Sequence, residues 1–153
     1  MFNLSSEAVR GGTLCFSKAG IAIGGTTSKA KTAAPNGAGT DFAINGYLYH
    51  LADTDDFWTM SGTTVAIVSQ CLFLLCVNAS GTMSIVQGTA RLTADITSGK
   101  YSLQWPQAGA TVCPLGGIKI TNTSSTYVPG TTALTTIATY YDFFAVPDSD
   151  ITS

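Results

Sequence analysis

His50 is the only histidine of the chain, and three carboxylates follow it in the stretch HLADTDD: Asp53, Asp55 and Asp56. A histidine beside carboxylates can act as a general acid or base, because its pKa lies near neutrality and a neighbouring carboxylate can orient the ring. The same stretch offers oxygen ligands for Ca²⁺. It lacks, however, the D-x-D-x-D-G spacing and the distal Glu of a calcium loop. A third account needs no chemistry, since Asp residues after a strand hydrogen-bond nearby backbone and favour turns. The sequence favours that account. No GxSxG, HExxH, P-loop or dinucleotide fingerprint accompanies the cluster. Gly24-Gly25 precedes no helical pattern and so cradles no phosphate. No catalytic residue, cofactor or metal ligand is expected, and the chain reads as a non-enzyme.

The other reactive side chains are Cys15, Cys71, Cys76 and Cys113. They form no CxxC pair, and zinc would need all four from irregular spacings. Cys71 and Cys76 are separated by an odd number of residues, so a regular strand puts them on opposite faces and they cannot bridge each other. A pairing such as Cys15–Cys113 stays open. The preferred expectation is four reduced, buried, apolar residues. The first residues show no basic stretch followed by a long apolar one, which points to synthesis in a reducing cytoplasm.

These residues sit in a charge-poor chain. Only 10% of the 153 residues are charged, and the net charge is −2, against roughly 25% charged in ordinary soluble domains. Hydroxyls and glycine replace the missing charge. Such a surface loses little ionic hydration when it is covered, which favours subunit packing over a free-standing extracellular domain. The few Lys and Arg residues are scattered, so no phosphate-neutralising stripe exists and nucleic-acid binding is not expected. No apolar run reaches the roughly 20 residues of a membrane helix, so no membrane association is expected either.

The elements that must position these residues read as strands. Residues 1–40 read as an irregular N-terminal arm, with a helical turn capped by Ser5 or Ser6, short strand candidates in TLCF and GIAI, and a Gly/Ala/Thr-rich loop from Gly24 to Thr40. Residues 41–147 read as the β domain and 148–153 as a tail. In DFAINGYLYHL, Asn45-Gly46 predicts a tight hairpin. Thr63–Val77 predicts a long strand, Asn78–Gly81 a turn, and Met83–Gln87 an antiparallel return. Trp105-Pro106 ends a strand, since proline cannot donate a ladder hydrogen bond. Cys113-Pro-Leu-Gly-Gly is a turn into a strand, Val128-Pro-Gly a type II turn, and Thr139–Val146 the last strand. The fold class is all-β: an antiparallel sandwich or a jelly-roll-like barrel.

Within the long strand, Leu72, Leu74 and Cys76 face one way and Cys71, Phe73 and Leu75 the other. A half-buried strand alternates apolar and polar; this one does not, so both faces must be covered. Each large side chain left in water would forfeit about 1.5–3 kcal/mol. One face fits the domain core. The other needs a second sheet, the N-terminal segment or a neighbouring subunit.

The order of motifs resembles a set of small tailed-phage virion proteins. The matching pieces are Ile44-Asn45-Gly46, Asn78-Ala79-Ser80-Gly81, Pro114-Leu115-Gly116-Gly117-Ile118, and Pro129-Gly130-Thr131-Thr132 with Tyr140-Tyr141-Asp142. They span residues 41–147. The resemblance implies a non-enzymatic head decoration (cement) protein, located on the virion, that assembles as a homotrimer and binds the major capsid protein on the outside of the lattice. The candidate interface residues on this reading are Phe73, Leu75 and the arm from Pro35 to Thr40. An alternative is a tail- or fibre-associated receptor module in which Tyr47, Tyr49, Trp58, Tyr101, Trp105, Tyr140 and Tyr141 hold a carbohydrate. Against it, aromatic residues commonly fill cores and line subunit contacts.

Overall fold

The computed structural model describes residues 12–144. The helical turn expected at Ser5 or Ser6, the tail 148–153 and the end of the last predicted strand lie outside them. The described chain is nearly all-β. It runs β1 (Leu14–Cys15), β2 (Ala22–Ile23), β3 (Lys29–Lys31), β4 (Thr40–Ile44), β5 (Tyr47–Leu51), β6 (Trp58–Thr59), β7 (Ser69–Asn78), β8 (Met83–Gln87), β9 (Arg91–Leu92), α1 (Thr93–Thr97), β10 (Val112–Thr121) and β11 (Ala138–Asp142). The strands form three antiparallel sheets, β1-β4-β5, β2-β3-β6 and β11-β10-β7-β8, with β9 also paired to β7. The sheets stay open, so the architecture is a sandwich and not a closed barrel.

The turns that carry φ-specific residues fall where they were expected. Asn45 (φ 51°) and Gly46 (φ 84°) make the two-residue β4–β5 connection, whose positive φ values match the twist of the flanking strands. The Asn78 side-chain oxygen accepts the N–H groups of Ser80 and Thr82, closing the β7–β8 hairpin. At Val128-Pro-Gly, Gly130 takes φ 78° and Thr131 N–H donates to Val128 O, as a type II turn requires.

Strand β7 is buried from Ser69 to Val77. Cys71, Phe73, Leu75 and Val77 enter the main core with Ile118 and Ile120 of β10, Phe42 and Ile44 of β4, Trp58 and Tyr127. Phe73 meets Tyr127 edge to face at 5.8 Å. Phe73 and Leu75 are each 0% exposed, so the chain's own core encloses them and they offer no partner a surface. This corrects the expectation that they form a subunit contact.

The second face, with Leu72 and Leu74, is covered by the stretch between α1 and β10. In the register of β7 with β10, Leu74 pairs with Gly117, and a methyl built on Gly117 would overlap the Trp105 ring. The backbone of Gln104 and the ring of Pro106 lie over Gly88 in the same way. Trp105 is braced edge-on by Tyr141 and by Phe143, at centroid distances of 5.6 and 4.9 Å. Trp105-Pro106 thus ends no strand. It crosses a sheet in which Gly117 leaves room for the indole and Gly88 for the residues on either side of it. No neighbouring subunit is needed to cover β7.

The N-terminal segment also departs from an arm. β1 pairs with β4, while β2 and β3 build a sheet with β6. Of the interface candidates there, Pro35 is exposed and Thr40 is fully buried at the start of β4. Pro114 lies inside β10, tolerated at a bulge where the register skips from Pro114 to Gly116. The α1 turn was missed. Its signal is Gly99, which takes φ 74° just past Ser98 and closes the helix.

Gly117→Ala must displace Trp105. Urea unfolding is expected to show a loss of about 1–3 kcal/mol, the usual cost of overpacking. In a Trp105→Ala background the same change is expected to cost clearly less, so the two substitutions are non-additive. Additive losses would mean that Trp105 does not cover this face.

Candidate interaction surface

The carboxylates that suggested chemistry are engaged with backbone. Asp53 accepts Ala34 N–H at 2.8 Å, Asp55 accepts Gly25 N–H at 3.0 Å, and Asp56 accepts Thr26 N–H at 2.8 Å together with the Thr26 hydroxyl. Thr32 N–H donates to Thr54 O, and Thr54 N–H donates to the Thr32 hydroxyl. The β5–β6 connection is therefore a clamp that ties down the Gly/Ala/Thr-rich segment. Hydrogen bonds from the Thr26 hydroxyl and then the Thr26 amide hold the Asp56 carboxyl below its ordinary value, because they favour the charged form.

His50 does not join these residues. Its Nδ1 lies 2.7 Å from Asp41 Oδ1, directly across the β4–β5 ladder, and both side chains are more than half exposed. The thiol near this pair is buried. Cys15 donates to Ser17 O, and burial pushes its pKa up to about 11. Burial likewise raises Cys76 to about 11 and Cys113 to about 12. Thiols held so far above neutrality stay protonated and are poor nucleophiles. All four cysteines are free and buried. Among the described residues, no three His, Cys, Asp or Glu side chains are placed to share a metal ion.

Apolar side chains reach solvent at several places, among them Trp105, Tyr141 and Phe144, and two further groups stand out. At the β4–β5 hairpin Leu48 is 74% and Tyr47 72% exposed. Beside them Phe16, Asp41, Leu48, Tyr49 and His50 line an open concavity of about 660 Å³. At the entry to β7, Ile67, Val68 and Leu92 are each about half exposed. Val68 has φ 57°, which crowds a β-branched side chain against its own carbonyl. Strain of this kind costs of order 1–3 kcal/mol and persists only where the surroundings impose it. Here the buried Asn122 imposes it. Its Nδ2 donates to Val65 O at 3.0 Å and Ala66 O at 3.4 Å, and its backbone N–H donates to Ser69 O. Val68 O in turn accepts Thr93 N–H at 2.8 Å.

The aromatic residues do not form one flat platform. Trp105 is engaged with Tyr141 and Phe143, Trp58 is in the core, and Tyr101 carries the Arg91 guanidinium over its ring at 4.2 Å. Neither the hairpin patch nor the Val68 patch is legible in the sequence. The hairpin residues alternate as a strand should, and a positive φ at valine has no sequence signature.

Asp56 gives a pH test. Its folded-state pKa is lowered, so its contribution is present above the ordinary value of 3.8 and disappears as pH falls through the lowered folded value. Asp56→Asn is expected to lower the urea midpoint at neutral pH. The gap to wild type should close as the pH is taken below 3.8. A gap that stays constant with pH would show that the carboxylate charge plays no part in the clamp. Neither a protein-family model, nor a curated protein, nor a solved structure matches this chain.

Proposed function

We propose that this chain is a non-enzymatic virion structural protein of the tailed-phage decoration (cement) type, made in the host cytoplasm, which assembles with copies of itself and binds the outer face of a capsid lattice built by the major capsid protein. The observation that carries the reading is the pairing of a complete core with an apolar surface in a charge-poor chain. Leu48 and Tyr47 stand about three-quarters exposed while the chain covers both faces of β7 by itself. Exposed apolar patches that the fold does not need mark contact sites. The resemblance of motif order supplies the kind of partner, and three of its pieces are the residues that form the β4–β5, β7–β8 and Val128-Pro-Gly turns.

Lattice binding stabilises a shell by mass action, because the ligand binds the assembled state and not the free subunits. A pre-formed oligomer adds linked contacts to that effect. The receptor-module alternative has less support, since the faces or edges of Trp105 and Tyr101 are already in use.

The test is co-sedimentation with heads purified without this protein. Saturable pelleting is expected, and it should persist in about 0.5 M NaCl, because apolar contacts are not screened as exposed ion pairs are. Failure to pellet, or saturable binding to host polysaccharide in its place, would overturn the reading.

A further inference from the structure

The strained turn at Val68 has no role in the core. Its side chain and those of Ile67 and Leu92 point away from it, and a glycine or asparagine would take the same backbone with less strain. Strain held in place by a dedicated buried residue, here Asn122, is a reason to look for what the strained side chain does. What it does here is project three branched apolar side chains as a rigid knob. Rigid apolar knobs lose little entropy when they seat, which suits them to an apolar recess.

We propose that the Ile67-Val68-Leu92 knob seats in the Phe16–Leu48 concavity of a second copy of this chain. This rests on the reading of the protein as a self-assembling virion component, and it names the two surfaces involved. Three observations select a second copy as the occupant. The concavity is lined by Phe16, Leu48 and Tyr49, and its volume of about 660 Å³ suits branched side chains. Charges flank the two surfaces with opposite sign. Arg91 adjoins Leu92, lies over the Tyr101 ring and has no carboxylate at ion-pair distance among the described residues, while at the concavity the Asp41 carboxylate is more than half exposed beside its partner His50.

The third observation is their placement. The knob lies at the Ser69 end of β7. The β1-β4-β5 sheet packs toward the other end, where Leu14 and Cys15 lie against Pro114, the residue paired with Cys76. Seven residues along β7, from Ser69 to Cys76, separate the two places by about 23 Å. A knob and a recess so far apart on one chain make a head-to-tail contact. Such contacts build rings when the rotation closes and filaments when it does not.

Val68→Gly separates folding from assembly. It is expected to melt no lower than wild type, because it removes strain and little buried surface. In mass photometry and sedimentation velocity, wild type is expected to form particles larger than a dimer. Val68→Gly should shift that association at least tenfold weaker, and Leu48→Asp should be monomeric. Mixing Val68→Asp with Leu48→Asp should give a dimer and nothing larger, since each mixed pair keeps one intact knob and one intact recess. A wild-type protein that is monomeric throughout, a Val68→Gly protein of unchanged association, or a mixture that stays monomeric would each overturn the proposal. Leu48→Asp protein that keeps wild-type mass but melts lower would assign the concavity to the chain's own N-terminal residues, and would also overturn it. Monomeric wild type that still pellets with heads would remove this contact and leave the decoration reading standing.

Discussion

The structure depends on covering a strand that is apolar on both faces. β7 buries nine consecutive residues, Ser69 to Val77, and at about 1.5–3 kcal/mol for each large side chain neither face can be left in water. The two faces are covered by different means. The Phe73 face uses packed sheets, with Ile118 and Ile120 from the neighbouring strand and Phe42 from the opposite sheet. The Leu74 face uses a stretch with no regular structure, anchored by Trp105. An indole can approach a sheet this closely only where the strand presents no side chain: Gly117 provides that clearance for Trp105, and Gly88 provides it for the Gln104 backbone and the Pro106 ring. The glycines of β10 are thus packing residues.

The same economy governs the N-terminal half. Strands as short as β2 and β3 cannot hold themselves together, since their few ladder bonds and one buried residue, Ala30, offset little chain entropy. Carboxylates supply the remainder. Asp53, Asp55 and Asp56 each accept a backbone amide from residues 25–34, and Asp142 accepts Ile21 N–H at 2.9 Å. Charge-assisted bonds to backbone amides are stronger than neutral ones. A cluster that looks catalytic by composition is a set of short-range ties, and the segment it ties looks unstructured by composition.

What the sequence made legible follows from the range of each cause. Turns were legible because their causes are local: positive φ at Asn45-Gly46, a side-chain cap at Asn78, proline and glycine at 129–130. The all-β class and the double burial of β7 were legible from its unbroken apolar run. The identity of the second cover was not, because Trp105 lies in a stretch without periodicity and its partner is a glycine far along the chain. His50 was grouped with the aspartates next to it in sequence. Yet the hairpin register fixed by Asn45-Gly46 already places Asp41 opposite His50, and counting outward from the turn would have found the pair. Phe73 and Leu75 were assigned to a partner because the run needed two covers and only one was visible.

A chain that completes its own core can fold before it assembles. Had the Leu74 face been left for a neighbour, folding and association would be one event, and the free chain would expose a long apolar strand to aggregation. With that face closed by Trp105, the apolar groups left outside are scattered in small sets, among them Tyr47 and Leu48 at the hairpin, Ile67, Val68 and Leu92 at the turn, and the outer parts of Trp105 and Tyr141. In the proposed assembly, the low charge would act in association and not in folding. Covering hydroxyls and glycine costs little desolvation compared with covering Lys or Glu, so modest apolar contacts can drive association of a protein that is already folded. A valine held at φ 57° fits that arrangement, because a chain with a finished core can tolerate strain at its surface.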